Sequence, residues 1–153
     1  MRVSASVVMV AMVLAACGGE KKADAPADSS AMTAPVAASA ASGARHDIQM
    51  VLEGTTYKFV PAEFTIKAGD VVVYHNVSGG PHNVQFWADS IPTGAAAVLD
   101  AAIADKMGPL SSALIAAPGD SLVVSFAGAP VGTYGFTCTP HMAMGMHGKV
   151  TVE

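Results

Sequence analysis

The chain has 153 residues, which is enough for one ordinary domain with flexible tails. Its formal net charge is -4, only 13% of its residues are charged, and lysine and arginine form no cluster. A nucleic-acid-binding protein needs a basic surface, so this composition argues against DNA or RNA as a partner.

The N-terminus has the pattern of an export signal. Arg2 precedes an apolar stretch at residues 7–14, which is shorter than the roughly 20 residues of a membrane-spanning helix. Residues 14–17 read LAAC and resemble the lipobox of bacterial lipoproteins, in which cleavage occurs before a cysteine that carries a diacylglyceryl group. We therefore expect a signal peptide at 1–16 and a lipidated Cys17. That cysteine would anchor the protein to a membrane of the bacterial cell envelope, facing the periplasm or the cell exterior. The alternative is an ordinary secretory signal with an incidental cysteine.

A flexible linker is predicted to follow, so that residues 17–45 comprise the lipidated cysteine and the linker. Alanine, serine, proline and aspartate dominate this segment, and large apolar side chains are almost absent. Such a segment cannot bury enough surface to fold. The folded domain is therefore expected at residues 46–153.

This domain is predicted to be all-β. Short apolar or alternating segments are separated by turns rich in glycine, proline and aspartate, which is typical of an antiparallel sandwich or barrel. The segment 71–77 is the most apolar and is expected to be a central strand. The expected strands cover residues 47–53, 57–59, 63–67, 71–77, 82–87, 121–126, 132–137 and 148–152.

One inserted helix is predicted at residues 95–106. The segment is rich in helix-forming residues and places Val98, Leu99 and Ala102 at helical spacing, and Gly-Pro at 108–109 ends it. We expect this helix to pack on the edge of the sandwich. The alternative is a surface loop that is only partly helical.

The segment 138–146, which reads CTPHMAMGM, carries a thiol, an imidazole and several thioethers between two predicted strands. Cys138, His141 and a methionine are a donor set that favours copper, and a blue-copper centre needs one further imidazole. The chain has two cysteines. A disulfide between Cys17 and Cys138 would join an export signal to a core loop and is not expected. A free thiol in an exported protein is open to oxidation, which favours metal ligation of Cys138.

The further imidazole is predicted to be His82, which follows a Gly-Gly-Pro turn where the chain enters a strand. The side chain of Asn83 can anchor this loop, and its backbone N–H can approach the thiolate sulfur and tune its redox potential. Spacing alone leaves His82 equally interpretable as an ordinary loop histidine. Of the other histidines, we expect His75 to lie on a strand face and His147 to point away from the metal, and His46 has no evident partner.

Residues 80–84 (GPHNV) together with 134–146 (YGFTCTPHMAMGM) resemble the plastocyanin family of blue copper proteins. The resemblance covers essentially all of residues 46–153, in order. It implies a cupredoxin-type Greek-key β-sandwich that binds one type 1 copper ion, with Asn83 and Pro140 next to the ligands. Further matching segments are 64–70, 91–94, 117–120 and 148–152. The implied ligands are His82, Cys138, His141 and Met146.

The axial thioether has two candidates. Met144 fits the Cys-x2-His-x2-Met spacing of amicyanin, whereas the Met-Gly-Met ending resembles pseudoazurin, in which the later methionine ligates. We therefore expect Met146 as the ligand and Met144 as the alternative. Met142 and Met144 would then form an apolar rim around the edge of His141.

The chain also departs from photosynthetic plastocyanins, which carry clustered acidic residues and a tyrosine just before the ligand cysteine. Here Thr137 takes that position, and acidic residues outnumber basic ones in 46–153 without forming a dense patch. The resemblance therefore implies the copper site without implying the photosynthetic partners.

The expected function is single-electron transfer by Cu(II)/Cu(I) cycling in a membrane-tethered, monomeric protein that is not an enzyme. Its donor and acceptor would be transient redox proteins, which would contact the exposed edge of His141 and an apolar patch including Pro81. A periplasmic copper chaperone or copper-storage protein is the alternative, because Met142, Met144 and His147 are suited to Cu(I). A copper oxidase or nitrite reductase would require a further copper ion and usually further domains. We expect no catalytic residues.

Overall fold

The computed structural model of the chain describes residues 43–153. The predicted signal peptide, Cys17 and the linker up to residue 42 lie outside the described residues. Within the described part, no helix has the length and apolar character needed to cross a membrane.

The described residues form ten strands, one α-helix and one 3-10 helix. The strands are β1 (Arg45–Glu53), β2 (Thr56–Val60), β3 (Glu63–Ile66), β4 (Val71–Asn76), β5 (Gln85–Phe86), β6 (Lys106–Gly108), β7 (Ser111–Ser112), β8 (Ser121–Ser125), β9 (Gly132–Thr137) and β10 (His147–Val152). The α-helix α1 covers Ala95–Ala102, and the 3-10 helix covers Thr139–Met144.

The strands form two sheets, which confirms the predicted β-sandwich. The first sheet has the order β2-β1-β4-β8, and the second has the order β3-β10-β9-β5-β7-β6. Strand β4 is flanked on both sides and is mostly buried, as its apolar sequence predicted. The expectation of purely antiparallel pairing is wrong for two pairs, since β1 pairs with β4 and β3 pairs with β10 in parallel. After β2 the chain crosses to the second sheet as β3 and then returns to the first sheet, where β4 pairs with β1. The spacing of apolar residues along a strand does not encode this crossover.

Aromatic side chains fill the core beneath the second sheet. Phe136 on β9 is fully buried and meets three other rings edge-on, with centroid distances of 4.9 Å to Phe59, 5.6 Å to Tyr74 and 5.9 Å to Phe86. Edge-to-face pairs add specific geometry to the burial of apolar area. Phe136 lies two residues before Cys138, so this packing fixes the strand that leads into the proposed ligand loop.

Helix α1 is shorter than the predicted 95–106 segment. Leu99 is fully buried, but Ile103 already has extended backbone angles and forms a β-bridge with Val124 of β8. Residue 106 then begins a short strand. Burial of Ile103 against β8 competes with continuation of the helix, which explains the difference. The predicted strand 82–87 is also shorter, since only Gln85–Phe86 is a strand and His82 makes an isolated bridge with Ile115.

Asp70 holds the start of the domain against the β3–β4 turn. Its carboxylate accepts hydrogen bonds from the backbone N–H groups of Ala44 (2.8 Å) and Lys67 (2.9 Å) and lies 2.8 Å from Nε2 of His46. The expectation that His46 has no partner is therefore wrong. The bond from Lys67 and the contact with His46 lower the pKa of Asp70 below its ordinary value of 3.8.

This lowered pKa predicts acid destabilisation through Asp70. Its ionised form stabilises the fold above the unfolded value of 3.8, and that contribution is lost as the pH falls through the lower folded pKa. The Asp70→Asn variant should be less stable than the parent at neutral pH and should lose less stability on acidification. Urea unfolding of the metal-free protein over a pH series measures this, with Asp89→Asn in an exposed loop as control. Equal pH dependence of the parent and Asp70→Asn would contradict the assignment.

Candidate metal centre

The loop between β9 and β10 is closed by its own backbone hydrogen bonds. The Cys138 N–H donates to the carbonyl of Met146 (3.1 Å), and the Met146 N–H donates to the carbonyl of His141 (3.2 Å). Gly145 ends the 3-10 helix with φ of 81°, a left-handed conformation that favours glycine. These hydrogen bonds hold Cys138, His141 and Met146 in one short closed loop, and all three residues are buried.

His82 approaches this unit from the loop after β4. Its backbone exchanges two hydrogen bonds with Ile115, and its Nε2 donates to the carbonyl of Ser78 at 2.9 Å. The other ring nitrogen, Nδ1, then faces Cys138 Sγ at 3.5 Å. A hydrogen bond at one nitrogen that orients the other is the usual arrangement of a metal-binding histidine.

Three of the predicted ligands lie together. Nδ1 of His141 is 3.4 Å from Cys138 Sγ, and one donor atom each of His82, Cys138 and His141 all lie within 4.8 Å of one another. These three form the one cluster of potential metal-binding His, Cys, Asp or Glu side chains within residues 43–153. A thiol with two imidazoles matches the equatorial set of a blue-copper centre.

The two candidate axial methionines differ in burial. Met146 is 0% exposed, whereas Met144 is 50% exposed, as is Met142. A thioether that contacts a buried metal must itself be buried, so this difference favours Met146.

The site is desolvated, and the loops at residues 77–83 and 138–147 contain no aspartate, glutamate, lysine or arginine. Burial raises the pKa of the Cys138 thiol, and hydrogen bonds from the backbone N–H groups of Asn83 and His141 act in the opposite direction. Burial lowers the pKa values of His82 and His141. The lower pKa values favour the neutral imidazoles that metal ligation requires, and a bound cation would stabilise the thiolate that burial disfavours.

Asn83 links the His82 loop to the Cys138 loop. It is fully buried, and its Oδ1 accepts a hydrogen bond from the Thr139 N–H at 2.7 Å. Its Nδ2 donates to the hydroxyls of Ser111 and Thr139, both at 3.2 Å. The amide thus joins three segments, and the loop-anchoring interaction that the sequence predicted is present. Pro140 lies at the exposed first turn of the 3-10 helix, which carries His141.

The remaining histidines lie outside the cluster. His75 lies on β4 with Nε2 2.6 Å from the carboxylate of Asp47, which agrees with the expected strand-face position. His147 is exposed and its ring lies 5.9 Å from that of Trp87, while the preceding Met146 is buried. The exposure of His147 beside the buried Met146 agrees with the expectation that His147 points away from the site.

Sequence reasoning missed one side chain at the site. The ring of Tyr57 on β2 stacks on the imidazole of His141, with centroids 3.7 Å apart and planes inclined by 12°. It also meets His82 edge-on at 6.3 Å. Tyr57 lies far from both histidines in the chain, and no local spacing connects them.

Replacement of Asn83 should uncouple the loops. Asn83→Ala leaves the buried partners of the amide unpaired and should lower the free energy of unfolding by about 2 kcal/mol. Thr139→Val is the matched control, because it removes one acceptor of Asn83 and keeps the 2.7 Å backbone bond. Urea denaturation of the metal-free proteins measures both losses. If Asn83→Ala lowers the free energy of unfolding by no more than Thr139→Val does, the amide does not hold the loops together.

Comparison with known proteins gives a consistent family assignment. The family model described as copper-binding proteins of the plastocyanin/azurin family matches residues 46–153. Plastocyanin of Rumex obtusifolius is 41% identical over 95 residues, covering 62% of this chain and 87% of that protein. Chloroplastic plastocyanin of Hordeum vulgare is 36% identical over 142 residues, covering 93% and 83% respectively.

A solved structure shares the fold. Oxidised plastocyanin from Dryopteris crassirhizoma superposes with a TM-score of 0.55 at 31% identity, covering 71% of this chain and all of that chain. Together with the cluster of two imidazoles and a thiol, these matches support a site for one type 1 copper ion. The chain belongs to the plastocyanin/azurin family of copper-binding proteins and is a cupredoxin of the blue copper type.

Proposed function

We propose that this protein is a membrane-tethered electron carrier that shuttles single electrons between redox partners. His82, Cys138 and His141 would be the equatorial copper ligands, and Met146 would be the axial ligand. The observation that carries the proposal is that one donor atom each of the buried residues His82, Cys138 and His141 converge within 4.8 Å of one another in a copper-binding fold.

The arrangement supports electron transfer better than catalysis. Copper supplies the Cu(II)/Cu(I) couple when bound, and the protein supplies the fixed positions of its ligands. The backbone bonds of the Cys138 loop and the buried amide of Asn83 hold these positions. Four protein donors would complete a type 1 ligand set and would leave no position for a substrate. A fixed ligand set that tolerates both oxidation states keeps the cost of electron transfer low.

The surface over the ligand loop supports weak, transient docking. Met142 and Met144 are each 50% exposed, Pro81 is exposed beside His82, and residues 77–83 and 138–147 contain no aspartate, glutamate, lysine or arginine. Redox partners generally meet through small interfaces. His141 is 5% exposed, so only a small part of its ring surface can face a partner. The surrounding apolar side chains would therefore make most of the partner contact around the His141 edge.

Loss of the thiol tests the copper site. The parent protein loaded with Cu(II) should show intense blue absorption because of thiolate ligation, and its reduction should be reversible because the ligand set is fixed. Cys138→Ala should be colourless, and blue colour in this variant would refute the ligand set. A parent protein that binds Cu(I) without colour and transfers it to an acceptor would instead support the chaperone alternative, for which the exposed Met142 and Met144 provide the structural reason.

The axial assignment is tested by a matched pair of variants. Met146→Leu should shift the reduction potential, because a weak axial thioether tunes the potential of the site. Met144→Leu should leave the potential close to that of the parent, since this side chain lies half-exposed. Potentiometric titration of both variants decides between them, and the reverse pattern would assign the axial position to Met144.

The membrane tether is the part of the proposal that rests on sequence. We infer that residues 1–16 direct export, that lipidated Cys17 anchors the protein to the bacterial envelope, and that the linker before β1 lets the domain reach its partners. Two or more acyl chains give stable anchoring, whereas one chain gives marginal binding.

Fractionation of host cells tests the tether. The parent protein should fractionate with membranes, and Cys17→Ser should lose that association because the acceptor of the lipid is gone. Cys138→Ala, which changes the only other cysteine, should stay with the membrane fraction. A parent protein found in the soluble fraction would indicate an ordinary secretory signal.

A further inference from the structure

The two histidines of the site are held in different ways. His82 is oriented by a hydrogen bond from its Nε2 to the carbonyl of Ser78 at 2.9 Å. His141 shows only its Nδ1 contact with Cys138, and its Nε2 makes no hydrogen bond to any group in residues 43–153. A metal-binding imidazole usually needs a partner at its outer nitrogen to fix the ring plane. Because no protein group in residues 43–153 bonds to Nε2 of His141, packing is the protein interaction that can restrict this ring.

Tyr57 provides that interaction. Its ring lies nearly parallel to the imidazole of His141, with an inclination of 12° and a centroid distance of 3.7 Å. Tyr57 belongs to β2 of the first sheet and pairs with Leu52 in the β1–β2 register, whereas His141 follows β9 of the second sheet. The stack therefore joins the two layers of the sandwich at the proposed copper site.

The position of the Tyr57 ring is itself restricted by the loop that leads to His82. Gly79 in this loop has φ of 77°, and a Cβ at this position would lie 2.5 Å from Cβ of Leu52 and 3.0 Å from Cε1 of Tyr57. Only glycine combines this backbone conformation with this close approach. The half-buried Tyr57 ring thus contacts both loops that carry the proposed histidine ligands.

We propose that Tyr57 is a positioning residue that fixes the imidazole plane of His141, so that Nδ1 faces Cys138 Sγ. The inference rests on the proposed role of His141 as a ligand. Rotation of the imidazole about its Cβ–Cγ bond would turn a ring edge into the face of Tyr57, and a contact of 3.7 Å between centroids leaves no space for this. The stack with Tyr57 thus orients the ring of His141 by packing, whereas the Ser78 carbonyl orients the ring of His82 by a hydrogen bond.

The first test uses the metal-free protein, so that it does not depend on copper. In the parent and in Tyr57→Phe, the ring protons of His141 should be shifted upfield in proton NMR spectra by the ring current of the stacked side chain. In Tyr57→Leu this shift should be lost. Val60→Ala, at an exposed position on the same strand, should leave the His141 signals unchanged. Unchanged His141 signals in Tyr57→Leu would overturn the proposal.

The second test is the reduction potential of the copper-loaded variants. Tyr57→Phe should match the parent, and Tyr57→Leu should shift to a higher potential, because a less firmly held imidazole favours Cu(I), which requires fewer ligands. A potential of Tyr57→Leu equal to the parent's, or a shift of the same size in Tyr57→Phe, would also overturn the proposal. Blue absorption in the parent shows that the copper site exists. If that absorption is absent, the proposed function fails, while the metal-free spectra still decide the role of the stack.

Discussion

The site depends on hydrogen bonds between two segments that are distant in the sequence. Asn83 and Thr139 are 56 residues apart, yet the amide of Asn83 both accepts a bond from the Thr139 backbone and donates one to its hydroxyl. Each of these residues directly follows a proposed ligand, His82 or Cys138. Because buried amides are costly when unpaired, this reciprocal bonding favours the one loop arrangement in which both ligands converge.

Close packing behind the ligand loop restricts it further. A Cβ at Gly148 of β10 would lie 2.5 Å from Cζ of Phe136 and 2.6 Å from the carbonyl oxygen of Ala62, so only glycine allows the Phe136 ring to occupy this position. On the opposite face of β9, a Cβ at Gly135 would lie 3.1 Å from the Trp87 ring. Strand β9 is thus enclosed on both faces just before Cys138. A strand packed in this way cannot shift to follow a change at the metal, which is consistent with a ligand set that serves two oxidation states.

The parts of the molecule that the sequence predicted well are those with a local signature. Strand β4 is apolar along its length, and the segment 138–146 contains three donors at short spacing. The structure also places His82 beside Cys138, although spacing alone did not distinguish it from a loop histidine. The features that were missed are contacts between segments distant in sequence. The end of α1 depends on a bridge from Ile103 to β8, and the partner of His46 depends on the β3–β4 turn.

Charged side chains lie outside the two loops, 77–83 and 138–147, that carry the proposed ligands. Several exposed charges outside these loops are paired, as in Lys58 with Glu53 (2.6 Å), Lys106 with Asp100 (2.7 Å) and Lys149 with Glu63 (3.1 Å). Such pairs contribute little to stability, but they reduce the field that each charge would extend into solvent.

The loops around the proposed ligands are uncharged and expose apolar side chains such as Met142 and Met144. Recognition at this proposed docking surface would rely on short-range contact, which would permit rapid dissociation after electron transfer. Tyr57 lies at the boundary of these regions, since its strand also carries Lys58 while its ring contacts His141. The same edge strand thus contributes to the charged side of the domain and to the ordering of the proposed ligand.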